Sequence, residues 1–212
     1  MRYYANPSTP RVRDAMTSGL LAAIMTPRQG NRLPEGAAWC ADNGCYGKGW
    51  PGEYAWLGWL DSFTPEQRAR CDFAVAPDVV GDADATLARS LPWLATIAHL
   101  GYPVAYVAQD GATIDTLPWD QLDVLFLGGT TGWKLGPVAH SLTAAARDRG
   151  KRVHMGRVNS ERRYRYAAAI GCDSADGTYL TYGPDRLLPA VLAWLRTTDQ
   201  PELVAQHRRS QR

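Results

Sequence analysis

The sequence predicts a compact (β/α)8 barrel of the α/β class, TIM-like, and three observations carry that expectation. Short apolar runs alternate with longer amphipathic ones from end to end. The short runs are apolar at successive positions, as strands of a parallel sheet covered on both faces must be. Eight of them fit into 212 residues, which places the chain at the small end of the barrel's size range. An open doubly wound sheet is the alternative that the same alternation allows.

The elements follow in order. A first strand over 2–5 leads to a helix over 11–18. Strands over 22–26 and 38–42 are separated only by 27–36, a Pro- and Gly-bearing loop, so the second crossover helix is abbreviated. A glycine-rich loop, GCYGKGWPG over 44–52, precedes a helix over 53–62. After the strand over 72–78, Asp82 and Asp84 offer caps for a helix over 84–100 that stops before Gly101. The strand over 103–109 is followed by a vestigial fifth helix around 117–122 and then a strand over 124–128. A helix over 138–149 closes on Gly150, and a strand over 152–156 follows. Asn159 and Ser160 cap a helix over 160–170, Gly171 suits its end, and the last strand covers 172–176 before a final helix over 185–196. One catalytic domain over 1–198 is expected, with a polar, basic tail over 199–212.

Composition excludes several classes. Hydrophobic residues make up 45% and charged residues 21%, and a net charge of +2 does not by itself announce nucleic acid. Basic residues do cluster over 151–165 and in the tail. Cys40, Cys45, Cys71 and Cys172 form no C-x-x-C pair, which argues against a structural zinc site, and no metal or other cofactor is expected. No leader pattern and no apolar stretch of the roughly 20 residues a membrane span requires is present. A cytoplasmic protein with free thiols is the expectation; the oligomeric state is not legible.

In a parallel barrel, chemistry is done at the carboxyl ends of the strands. Here strand three ends on Asp42, strand four on Asp78 and strand five on Gln109-Asp110. Strand six ends on Gly128-Gly129, strand seven on Met155-Gly156-Arg157, and strand eight passes Asp173 to end on Asp176. Each has an ordinary reading as well. Asp42-Asn43-Gly44 is a good turn sequence, Asp78 suits a turn after Pro77, and His154 alone reads as a satisfied core histidine. Gly128-Gly129 lacks the lysine-serine ending of a P-loop, but admits close approach of a flat ligand or a phosphate. Taken together, carboxylates at several strand ends suit either acid/base and glycosyl chemistry or a divalent cation.

The ordered set of motifs resembles the tRNA-guanine transglycosylase superfamily, and within it the compact 7-deazaguanine DNA transglycosylases of phages and genomic islands. WCADNGCYG is similar to the family's Asp-Ser-Gly-Gly-Tyr-Gln segment, which puts Asp42 at its general acid/base. AVAPDVV resembles the segment of the base-recognising aspartate, here Asp78, and YVAQDG matches Gln109 to the base-binding glutamine. FLGG aligns Gly128 and Gly129 with the glycine pair whose backbone meets the purine. VHMGR followed by GCDSADG resembles His-x-x-Gly and Gly-x-Asp-x-x-Asp, which places the nucleophile at Asp176. The likeness spans roughly 38–177. It departs from the family in lacking the zinc-binding insertion, in reading Asp-Asn-Gly-Cys for Asp-Ser-Gly-Gly, and in carrying Gly47 where the family has glutamine.

The resemblance implies exchange of guanine in DNA for a free 7-deazaguanine base through a covalent aspartyl intermediate. Asp78, Gln109 and the glycine backbone would hold the base, with Met155 and Tyr46 completing the pocket. Lys48, Lys134, Arg157, Arg162 and Arg163 are candidate phosphate contacts, although Arg162, Arg163 and Arg165 equally suit a solvated helix face. The same exchange on tRNA, an N-glycosidic hydrolase acting on nucleosides or nucleotides, and a non-catalytic nucleic-acid-binding barrel are the alternatives.

Overall fold

The computed structural model describes residues 1–199, so the tail beyond that point lies outside the described residues. Eight parallel strands close in sequence order, β1 pairing with β8, into a complete barrel. The strands are β1 (Arg2–Ala5), β2 (Ala22–Met25), β3 (Trp39–Ala41), β4 (Cys71–Val75), β5 (Val104–Ala108), β6 (Val124–Leu127), β7 (Arg152–Met155) and β8 (Ser174–Asp176). Around them run α1 (Pro10–Thr17), α2 (Glu53–Asp61), α3 (Pro65–Arg68), α4 (Ala83–His99), α5 (Thr131–Lys134), α6 (Pro137–Asp148), α7 (Glu161–Ile170) and α8 (Pro184–Asp199). Among the described residues no helix is long and apolar enough to cross a membrane.

The caps explain the helix boundaries. Asp82 accepts from Ala85 N–H at 2.9 Å to start α4, and Ser160 accepts from Arg163 N–H to start α7. Gly171 ends α7 in the left-handed region at φ 100°, where a side chain would be strained. No helix separates β2 from β3, and two single turns of 3₁₀ helix replace the fifth crossover. Both abbreviations match the expectation. The short helices α3 and α5 were not expected: each is a single capped turn, too brief for an amphipathic period.

Two packed layers result. Tyr4, Ala22, Cys40, Phe73, Val75, Ala105, Val107, Val124 and Phe126 fill the barrel interior. A larger layer between sheet and helices includes Tyr3, Trp39, Trp56, Tyr106, Leu125, Val153 and Met155. Strand alternation decides which layer a residue joins, since successive side chains point to opposite faces. On β7 this sends Val153 and Met155 outward and His154 inward. The expected pocket role for Met155 is therefore corrected: it packs against the helices, 1% exposed, on the wrong face of the sheet.

Candidate active site

The carboxyl end of the barrel opens into a cavity of about 540 Å³, a volume typical of small-ligand sites. Ile24, Val75, Val107 and Phe126, the top of the barrel interior, form an apolar floor. Asp42, Asp78 and Asp176 all line the wall, so carboxylates following β3 and β4 and ending β8 share one space.

Asp176 is the last residue of β8 and is 9% exposed. Its Oδ2 lies 2.8 Å from His154 Nε2, and its Oδ1 accepts from the Arg157 backbone N–H at 3.2 Å. Gly156 crosses close above: a Cβ there would fall 2.6 Å from the Phe126 ring and 3.3 Å from Asp176 Oδ2. His154 is indeed a buried, satisfied histidine, and its partner is the candidate nucleophile, 22 residues away in sequence.

Asp42 follows β3 directly and is half-buried. Its Oδ1 accepts from Gly44 N–H at 2.8 Å, so the turn reading and the site reading describe the same residue. Burial, reinforced by the charges of Asp176 and Asp78, pushes its carboxyl up to about 7. A group in that position carries a proton part of the time at neutral pH.

Asp78 sits beyond the end of β4 and is buried. Its two oxygens accept from Asn43 Nδ2 at 2.9 Å and Gln109 Nε2 at 2.7 Å. Burial raises its pKa, against the pull of those hydrogen bonds. Gln109 Oε1 in turn accepts from Gly81 N–H at 3.0 Å. One Nε2 hydrogen of Gln109 and lone pairs on Asp78 and Gln109 remain for a ligand. Asn43 is a site residue hidden in the sequence by its good turn chemistry: it also donates to Ala76 O at 2.7 Å and accepts from Cys45 N–H at 2.7 Å.

The glycine pair behaves differently from expectation. Both N–H groups go to Ala108 O, at 2.9 and 3.2 Å, and both carbonyls accept from Arg157 Nη2. Gly128 lines the cavity and Gly129 does not. The expected use of this backbone as the purine's partner is corrected to a clamp by Arg157. Gly128 is nonetheless required by packing, because a Cβ would lie 2.3 Å from Val107 Cγ1 and 3.0 Å from Gln109 Nε2. Gly128→Ala is expected to cost about 1–3 kcal/mol, a loss of several degrees in Tm, by overpacking. Thermal melts of the two proteins check this.

Arg157 adopts φ 60°, uncommon for a residue with a side chain. Three interactions hold it there: its N–H on Asp176, its guanidinium on the two carbonyls, and the Tyr46 ring 4.3 Å from its Cζ. Arg157 also lines the cavity, and of its guanidinium nitrogens only Nη2 makes a hydrogen bond among the described residues. The expected phosphate role of Lys134 is corrected to an internal one. It lies buried on α5, donates to Gly156 O, and burial together with the Arg157 charge brings its ammonium down to about 7. Lys48 and Arg162 are exposed, Arg163 is half-buried, and Arg165 pairs with Glu161. Tyr46 lines the cavity and is 66% exposed, while Trp50 packs on Arg89.

No protein-family profile and no curated protein matches the sequence. Solved structures share the fold. 3-Hexulose-6-phosphate synthase from Salmonella typhimurium matches with a TM-score of 0.55 at 12% identity, over 92% of this chain and 96% of that one. The Amycolatopsis orientalis BexX/CysO complex matches with a TM-score of 0.54 at 18% identity, over 94% and 91%. A cube-shaped designed protein cage matches with a TM-score of 0.52 at 15% identity, over 98% and 76%. At such identities the likeness concerns the barrel alone.

Proposed function

We propose that the chain is a base-exchanging N-glycosyl transferase that replaces guanine in DNA with a 7-deazaguanine base. The observation that carries this reading is the division of labour among the three carboxylates of one cavity. Asp42 is proton-bearing near neutrality, Asp78 is dressed for hydrogen bonding, and Asp176 is held by two hydrogen bonds at the end of β8. Pairs of acids driven into different states by their surroundings mark acid/base and nucleophile assignments. The family resemblance of the same residues, in the same order, agrees with it.

In this mechanism Asp78 and Gln109 receive the hydrogen-bonding edge of the base over the apolar floor of Val75, Val107 and Phe126. Asp176 attacks C1′ as the glycosidic bond breaks, and its electron pair leaves with the base. Asp42 gives its proton to the departing base. The incoming base then attacks C1′, returns a proton to Asp42 and frees Asp176. No net hydrolysis and no nucleotide cofactor are needed. A duplex hides both base and C1′, so the target nucleotide must be extruded or already single-stranded. Lys48, Arg157, Arg162 and Arg163 are the phosphate contacts of this reading.

The test is incorporation of labelled guanine or 7-deazaguanine into DNA and, in parallel, tRNA. Label entering DNA is the expected result. Label in tRNA alone would move the substrate, and label in neither polymer would sink the reading.

A further inference from the structure

We propose that His154 is the positioning residue of the nucleophile: an imidazole set as the neutral Nε2–H tautomer by the Asp176 carboxylate, with Ser174 serving its Nδ1, that pins Oδ2 of Asp176 and leaves Oδ1 to react. The proposal rests on the base-exchange reading for its chemistry, but its tautomer does not.

His154 is fully buried inside the barrel, with its ring centroid 5.6 Å from Tyr4, 5.0 Å from Phe73 and 4.5 Å from Phe126. Three aromatic neighbours offer the imidazole little to hydrogen-bond, so both ring nitrogens need other protein partners. Nδ1 lies 2.9 Å from Ser174 Oγ and Nε2 lies 2.8 Å from Asp176 Oδ2. The register makes this bridge possible. His154 stands opposite Ser174 in the β7–β8 ladder, and Ser174 and Asp176 are two residues apart on one face of β8.

For a neutral ring beside an ionised carboxylate, donor and acceptor capacity sets the proton positions. The carboxylate only accepts, so Nε2 donates to Asp176, Nδ1 accepts, and the Ser174 hydroxyl donates. The two oxygens of Asp176 are therefore unequal. Oδ2 is turned toward the barrel interior, beneath Gly156, on the 2.8 Å bond. Oδ1 has only the longer contact of 3.2 Å to Arg157 N–H. When Oδ1 bonds to C1′ and the C1′–N bond breaks, the departing base takes the electron pair and the Asp42 proton. Oδ2 becomes the ester carbonyl and keeps accepting from His154. The imidazole loses no proton at any step, so it steadies the carboxylate in both half-reactions without being an acid or base.

Two variants and one spectrum test this. His154→Phe fills the aromatic box without a donor, and His154→Gln restores a donor of similar reach. Loss of one hydrogen bond to a charged group predicts glycosyl-enzyme formation about 10- to 100-fold slower in His154→Phe. Guanine affinity, measured by titration with the base alone, stays unchanged, and His154→Gln recovers part of the rate. A histidine that merely supports the fold would lower affinity and rate together and show no rescue by glutamine. That pattern, or an unchanged rate in His154→Phe, overturns the proposal. Nitrogen-15 NMR of labelled imidazole in the unmodified protein is independent of turnover and of variant folding. It should show a protonated, slowly exchanging Nε2 and an unprotonated Nδ1. A proton on Nδ1 instead overturns the proposal. An intact Nε2–H in a protein that exchanges no base in either polymer would instead mean that the base-exchange reading has failed.

Discussion

Asp176→Asn abolishes base exchange, by about 10⁴-fold or more, while the barrel stays folded. The amide is the same size as the carboxylate and keeps an acceptor for His154 Nε2, so the buried ring is not orphaned. It cannot form the aspartyl ester, because an amide is a poor nucleophile and bears no charge for C1′ to receive. Asp176→Ala removes the same chemistry but also strands the buried Nε2–H, which costs about 1–3 kcal/mol. The comparison is read by exchange rate and thermal melting on both variants. Exchange surviving in Asp176→Asn would mean that another group attacks.

Asp42→Asn is the second large effect, a fall in exchange of about 10²- to 10⁴-fold as expected when a general acid is removed. The pH profile adds a sharper signature. Since the carboxyl is pushed up to about 7, the wild-type kcat/KM for the polymer should decline as pH rises through that value, as the proton-bearing form of the free protein is lost. The residual activity of Asp42→Asn should lack that limb. Stability carries the same sign. The folded protein holds this proton more tightly than the unfolded chain does, so the group favours folding most at low pH. That contribution is lost as pH rises from the ordinary carboxylate range, about 4, through about 7. Melting temperatures across this window should fall in the wild type more than in Asp42→Asn.

Much of this site was legible because polar residues at the ends of apolar strands interrupt a pattern that has no reason to be polar. Asp42, Asp78, Gln109 and Asp176 announce themselves in that way, and the closed barrel brings all four to one cavity. Facing was not legible. A strand buried on both sides shows no polar alternation, so nothing in RVHM tells that His154 points inward and Met155 outward. Lys134 was misplaced for a different reason: a four-residue helix carries no period to reveal which side is covered. The Arg157 clamp depends on a left-handed backbone at a residue with a side chain, which local propensity disfavours and only the surrounding contacts sustain. Asn43 was read as a turn former, correctly, and its second job appears only when β4 lies beside it.

Mass spectrometry of the protein incubated with DNA in the absence of any incoming base, followed by digestion, identifies the residue that attacks C1′. A nucleic-acid-derived pentose attached to the peptide bearing Asp176, absent in Asp176→Asn and discharged when 7-deazaguanine is added, is the predicted result. The same adduct on Asp42 or Asp78, or exchange that proceeds with no covalent species, would contradict it.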